Sequence, residues 1–249
     1  MRKVAVIGLG YVGLEIALAA SKNNIVVGYD LDESKINKLK SGISYIEGIS
    51  ETVLTSALQS KRFLPTTNQK DIQECTIIVI CVPTPLDINK NPDISFIEKA
   101  CDVIVENLKN SALIINESTS HPGTLREIIF QNISKRSKYS HLYASSPERV
   151  DPGNVKWTLE NTPRLISGLD EKSIQEAKDF YSSFAKSISI VSTPEVAETA
   201  KLFENTFRQV NIALVNELAI ICGKLGIDVY EVLAAASTKP YGFMQFRPG

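Results

Sequence analysis

The stretch Val4-Ala5-Val6-Ile7-Gly8-Leu9-Gly10-Tyr11-Val12-Gly13-Leu14 decides the fold. Four consecutive apolar residues make a strand-length run, and the glycines after it keep a GxGxxG spacing ahead of a helical pattern through Leu14, Ala17 and Leu18. Each glycine has its own reason: a tight turn at Gly8, backbone approach to a pyrophosphate at Gly10, close helix-to-strand packing at Gly13. A helix opening at that point offers unpaired N–H groups and the positive end of its dipole to an anion. A second strand, Ile25-Val26-Val27-Gly28-Tyr29, ends at Asp30, about 20 residues beyond the loop, where a carboxylate meets the ribose hydroxyls of an adenosine. Such a carboxylate repels a 2′-phosphate, so the pattern predicts NAD rather than NADP.

The same N-terminal segment imitates a secretory signal, with Arg2-Lys3, an apolar stretch and the small residues Ala17, Ala19 and Ala20. Three glycines and Glu15 interrupt that stretch, which suits a strand–turn–helix better than a membrane-inserted core.

Strands and helices then alternate. Helical patterns cover Ser34–Lys40 and Glu51–Ser60, and Thr76–Cys81 is apolar on both faces, as a central parallel strand is. A helix to about Leu108, a strand Ala112–Ile115, a helix, and strands Leu142–Ser145 and Leu165–Ser167 follow. Helix Glu171–Ala185 and strand Ile188–Ser192 complete the series. The expected fold is α/β, a doubly wound, mostly parallel Rossmann sheet followed by a long helix and a short helical segment. The Rossmann part is expected over residues 1–192.

From Pro194 to about Gly226, Phe203, Phe207, Val210, Leu214, Leu218, Ile221 and Leu225 form one apolar stripe, while Ile212, Val215 and Ala219 lie on another side. A helix apolar on two sides needs more than one covering partner. It joins two domains or forms the core of a homodimer; an ordinary helix at a sheet edge is the plainer alternative. A shorter helix is expected over Val229–Ala236.

Composition narrows the function. The chain has 249 residues and is 43% hydrophobic, enough for a sizeable core; 27 basic against 28 acidic residues leave no footprint for nucleic acid or a membrane surface. The longest apolar run, Thr76–Val82, is strand length and spans no membrane. Cys75, Cys81, Cys101 and Cys222 form no CxxC pair, which reads as reduced thiols in a cytoplasmic protein. With only His121 and His141, no metal site is expected.

Candidate catalytic groups lie on the long helix and on two loops. Lys201 and Asn205 are four residues apart and share a face opposite the Phe203–Phe207–Val210 stripe. An ammonium and a carboxamide suit an oxygen that gains negative charge; from spacing alone, a solvated helix face explains them equally well. Thr119, in a loop between a strand and a helix, can reach the crevice where such sheets bind ligands. Glu148, in Ser146-Pro147-Glu148-Arg149, is a candidate base. Ordinary polar connections account for both loops as readily, and His121 and Cys81 read as a loop contact and a packing residue.

Taken together these motifs resemble the nucleotide-sugar 6-dehydrogenases of the UDP-glucose/GDP-mannose dehydrogenase family. The matching pieces are Gly8–Gly13 with Asp30, Val82-Pro83-Thr84-Pro85, Glu117-Ser118-Thr119 with Pro122-Gly123-Thr124, Ser146-Pro147-Glu148, and Ala200-Lys201-Leu202-Phe203-Glu204-Asn205-Thr206, in the family's order. Glu148-Arg149, Asp151-Pro152-Gly153-Asn154 and Thr162-Pro163-Arg164 resemble the branch acting on UDP-N-acetylglucosamine or UDP-N-acetylmannosamine.

The resemblance implies a four-electron oxidation of a UDP-sugar C6 hydroxyl to a carboxylate with two NAD+, supplying surface polysaccharide precursors. Gly8, Gly10, Tyr11, Val12, Gly13, Asp30, Lys35, Pro83, Thr84 and Thr119 would then bind NAD. Thr119 would also bind the water or hydroxyl near C6, Lys201 and Asn205 would stabilise the oxyanion, and Glu148 would orient or activate the water that hydrolyses a thioester. Residues 193–249 would be the central dimerisation helix and the start of a middle domain. Phe243-Met244-Gln245-Phe246-Arg247-Pro248-Gly249 matches the approach to the family's cysteine nucleophile, and none of the four cysteines takes that nucleophile's place. The expectation is a part of a dehydrogenase that binds NAD but is inactive by itself. UDP-glucose oxidation, a β-hydroxyacid or 6-phosphogluconate-type dehydrogenase, and a non-enzymatic NAD-sensing module are the competing readings.

Overall fold

The computed structural model describes residues 1–150, 154 and 156–249, and the chain divides into two compact units, Met1–Lys201 and Leu202–Gly249. Asp151, Pro152 and Gly153, part of the sugar-branch motif, lie outside the described residues.

The first unit runs β1 (Lys3–Ile7), α1 (Tyr11–Ser21), β2 (Ile25–Tyr29), α2 (Glu33–Lys40), α3 (Glu51–Gln59), β3 (Phe63–Thr66), β4 (Ile77–Ile80), α4 (Ser95–Asn107) and β5 (Leu113–Asn116). A π-helical stretch Thr124–Phe130 then leads into α5 (Gln131–Ser134), followed by β6 (Leu142–Ser145), β7 (Arg164–Gly168), α6 (Glu171–Tyr181) and β8 (Ile188–Ile190). Strand order is β3-β2-β1-β4-β5-β6-β7-β8, parallel throughout except that β7 runs antiparallel to β6. This is the doubly wound α/β sheet that the alternation of elements predicts.

The period of two along each strand builds two cores. Val4, Val6, Ile77, Val79, Leu113 and Ile115 pack with α1, α2, α3 and α6 on one face. Ala5, Ile7, Ile78, Ile80 and Ile114 pack with α4 and the Thr124–Ile133 segment on the other. Strand order reverses between β1 and β4, and the crevice beyond their carboxyl ends is where such sheets receive ligands.

Differences from the sequence reading are local. β3 was not anticipated, because four residues with Pro65 among them carry little strand signal; at the sheet edge the missing N–H costs no ladder bond. Helix α6 stops at Tyr181 rather than Ala185, and β8 at Ile190 rather than Ser192. All four cysteines are buried free thiols.

Helix α7 spans Pro194–Leu225 and therefore continues from the first unit into the second, and α8 (Val229–Ala236) follows with Asp228 capping its first turn. Within the second unit, the Phe207 and Phe246 rings meet edge to face, and the Gly249 N–H donates to Asn216 Oδ1 at 2.9 Å. The apolar stripe is open to solvent in the single chain: Phe203, Val210, Leu214 and Leu225 are each at least 60% exposed. No helix among the described residues is long and apolar enough to cross a membrane.

Candidate functional site

The glycine loop is built by backbone constraint. Gly8 has φ +91°, where a side chain is strained, and its N–H donates to Tyr29 O at 2.8 Å. A Cβ on Gly8 would lie 2.5 Å from Cys81 O, and one on Gly13 would lie 1.9 Å from Gly8 O. At Gly10 a Cβ would meet nothing within 4 Å, so the fold itself does not demand glycine there. Gly10 is the N-cap of α1 and supplies no side-chain cap, which leaves the first N–H groups of the helix for a ligand.

Asp30 closes the other side of this loop. Its Oδ2 accepts from the Leu9 N–H at 2.8 Å and its Oδ1 from the Asp32 N–H at 3.0 Å, while Lys35 Nζ stands 3.4 Å from Oδ2. The Tyr45 hydroxyl donates to Leu9 O at 2.5 Å, which pins the loop from α1's flank.

Two adjoining cavities open over the strand ends. One, of about 420 Å³, is lined by Tyr29, Asp30, Lys35, Pro83, Phe96 and Val103 among others. The second, of about 300 Å³, brings together Gly8, Gly10, Tyr11, Val12, Asp30, Lys35, Pro83, Thr84, Glu117, Thr119 and Glu148. Nearly every residue that the sequence marks thus borders one crevice. The Thr84 hydroxyl donates to Thr119 O, and Ser118 Oγ donates to Val82 O at 2.9 Å, so the loops after β4 and β5 are tied together. Open space at Gly10, a helix N-terminus without a cap and a carboxylate at the far end fit a dinucleotide laid across the sheet.

Lys201 is buried, near the first unit's end, and is not among the residues bordering this crevice. Asn205 belongs to the second unit, where its Oδ1 accepts from Arg208 Nη2 at 3.3 Å. His121, which borders neither cavity, has a buried Nδ1 with no hydrogen-bond partner among the described residues. His141 is structural: Nδ1 accepts from the Ala112 N–H at 3.2 Å, and Nε2 lies 2.8 Å from Ser137 Oγ.

Glu148 is held on all sides. Its Oε1 accepts from the Arg149 N–H at 2.6 Å and from the Val150 N–H, and its Oε2 pairs with Arg164 Nη2 at 2.8 Å. Arg164, the first residue of β7, also meets Glu117 Oε1 at 2.5 Å and Ser146 Oγ at 3.1 Å through Nη1. Its guanidinium carbon stands 4.5 Å over the Tyr181 ring, whose hydroxyl donates to Glu117. The two carboxylates raise the Arg164 pKa, so the guanidinium stays charged despite full burial. Burial pushes Glu117 up to about 7 against the lowering effect of Arg164.

The sequence reading missed Arg164 and Tyr181 as site-building residues, and Glu198 with them. Glu198, one turn before Lys201, is buried and accepts from the Gly123 N–H at 2.7 Å and the Leu125 N–H at 3.0 Å. It caps the helical stretch that begins at Thr124, and so fastens the start of α7 to the loop carrying Thr119. The signals available beforehand were the Thr162-Pro163-Arg164 match and a charged residue opening an apolar strand, Arg164 before Leu165-Ile166.

Comparison with known proteins agrees with this geometry. Residues 2–185 match the NAD binding domain of the UDP-glucose/GDP-mannose dehydrogenase family, and residues 195–249 match its central domain. Protein CapL of Staphylococcus aureus is 37% identical over 256 aligned residues that cover 100% of this chain and 58% of that protein. The UDP-N-acetyl-D-glucosamine 6-dehydrogenase of Pseudomonas aeruginosa is 38% identical, with 99% of this chain and 59% of the relative covered. A solved UDP-D-ManNAc dehydrogenase from Pyrococcus horikoshii superposes with a TM-score of 0.88 at 36% identity, covering 99% of this chain and 60% of that one. The chain thus spans just under three fifths of the length of the curated relatives it matches. With a glycine loop, an acidic strand end and a crevice over the sheet, and with family domains matched along nearly its whole length, the chain belongs to the UDP-glucose/GDP-mannose dehydrogenase family.

Proposed function

We propose that this chain is the cofactor-binding part of a cytoplasmic enzyme that oxidises the C6 hydroxyl of a UDP-N-acetylhexosamine to a uronate, for surface polysaccharide precursors. One observation carries the reading: the glycine loop, Asp30, Thr84, Thr119 and Glu148 border a single crevice. Relatives named for UDP-N-acetyl-D-glucosamine and UDP-D-ManNAc point to the sugar.

In this reading residues 1–192 bind NAD, and residues 193–249 carry the central helix and the start of the middle domain. NAD supplies the hydride acceptor. The N–H groups at Gly10, Tyr11 and Val12 hold the diphosphate with help from the helix dipole. Gly8 and Gly13 shape the turn, Asp30 receives the ribose hydroxyls, and Lys35 balances the Asp30 charge. Pro83, Thr84 and Thr119 wall the ring end. Thr119 orients the hydroxyl near C6, Lys201 and Asn205 stabilise the oxygen that gains charge, and Glu148 orients water.

A second oxidation through a thioester needs a thiolate. Three of the four cysteines are poor candidates: burial raises the Cys81 pKa well above its ordinary value and pushes Cys75 and Cys101 up to about 12. In this reading none of the four cysteines is the nucleophile, and a second copy of the chain covers the exposed stripe of α7. Calorimetry tests the reading: NAD+ binds to the chain alone, which yields no steady NADH from UDP-N-acetylglucosamine. Failure to bind NAD+, or steady turnover by the chain alone, overturns it.

A further inference from the structure

The glycine loop and Thr119 account for one wall of the crevice; a second, buried set of charges lies behind it. Glu117 and Glu148 both border the cavity and share the guanidinium of Arg164. Glu15, the carboxylate inside the apolar run of α1, is close enough for the charges of Glu148 and Arg164 to act on it. Three carboxyl groups against one guanidinium leave two negative charges in excess if all are ionised.

Hydrogen bonding inside this set is incomplete. Glu117 is 1% exposed, yet its Oε2 has no partner among the described residues; the same holds for Arg164 Nε and for the enclosed Glu15 Oε2. An unpaired carboxylate oxygen buried in a cavity wall is costly unless a proton or a cation meets it. Asp30, just after β2, and Glu117, just after β5, stand at opposite ends of the crevice, three strand spacings or ~14 Å apart. If Asp30 takes the ribose of the adenosine, the nicotinamide end lies against Glu117 and Glu148. That ring is positive when oxidised and neutral when reduced.

We propose that Glu15 and Glu117, set beside the Glu148–Arg164 pair, form a proton store that fills when the bound nicotinamide loses its positive charge. The proposal rests on the dinucleotide reading above. Glu15 and Glu117 are both pushed up to about 7, chiefly by burial, with Glu148 raising them further and Arg164 opposing. The other titratable groups facing the set stay neutral, since burial raises both the Tyr181 hydroxyl, from α6, and the Cys81 thiol, after β4. Oxidising an alcohol carbon to a carbonyl breaks one C–H bond and the O–H bond. The hydrogen leaves with its electron pair for the cofactor, and the hydroxyl proton remains; the store is placed to hold that proton.

Linkage makes the proposal testable without turnover. If the reduced cofactor brings more proton uptake than the oxidised one, the ratio Kd(NADH)/Kd(NAD+) rises with pH. Fluorescence titration of NADH and calorimetry of NAD+ at pH 6, 7 and 8 should show that ratio rising by roughly threefold to tenfold. Glu15→Gln and Glu117→Gln, each removing one titrating carboxyl, should each cut the rise by at least half. A flat ratio in the unsubstituted chain overturns the proposal, as does a rise that both variants leave intact. If neither nucleotide binds, the dinucleotide reading fails and takes the store with it; binding with a flat ratio defeats the store alone.

Discussion

Arg164 Nη2 stands 2.8 Å from Glu148 Oε2, and both residues are buried in the first unit, Glu148 on the border of the crevice. The pair, with the Arg149 and Val150 N–H groups, holds the Glu148 carboxylate in one orientation at the border of the crevice.

Removing the guanidinium leaves Glu117 and Glu148 buried without a counter-charge. Arg164→Met should therefore lower unfolding stability by about 3–5 kcal/mol in urea titrations. Arg164→Lys, which keeps the charge but loses the fork, should cost less than half as much. Equal losses for both would show that the fork does not matter.

Gly10 and Gly13 should separate binding from folding. Gly13→Ala drives a methyl into Gly8 O, so thermal stability should drop by several degrees together with NAD+ affinity. Gly10→Ala meets no protein atom; melting should be unchanged while NAD+ affinity falls by about tenfold or more. A Gly10→Ala chain that binds normally would move the diphosphate elsewhere.

Glu198 gives the fold a pH dependence whose sign follows from burial. Its carboxyl is pushed up to about 7, mainly by desolvation, with the Gly123 and Leu125 N–H groups and Arg126 pulling the other way and Glu195 adding to the rise. Between the unfolded value of 4.5 and about 7 the folded state holds the extra proton, so this group's contribution to stability falls as pH rises through that window. Urea unfolding at pH 5 and pH 7.5 should show roughly 1–3 kcal/mol of loss from this source. Glu198→Gln, having no proton to lose, should flatten that part of the curve.

The exposed stripe of α7 predicts self-association. Light scattering at micromolar concentration should report a dimer, and Val210→Glu with Leu214→Glu should convert it to a monomer without changing the melting of the first unit. A monomeric unsubstituted chain would remove the second copy from the proposal.

Local chemistry made much of this protein legible in one dimension. A GxGxxG between strand and helix, Asp30 at a strand end and the doubly apolar β4 depend on neighbours in sequence, and the α8 limits read from periodicity coincide with those observed. Edge strand β3 escaped because four residues with a proline hold too little local preference. Pairing across the fold was invisible for a different reason. Arg164 meets partners 16 and 47 positions away, and Glu198 reaches back 75 positions to Gly123. No propensity encodes such encounters. Burial supplies the energy that makes each of these charges need a partner, and only the packed sheet determines which one it finds.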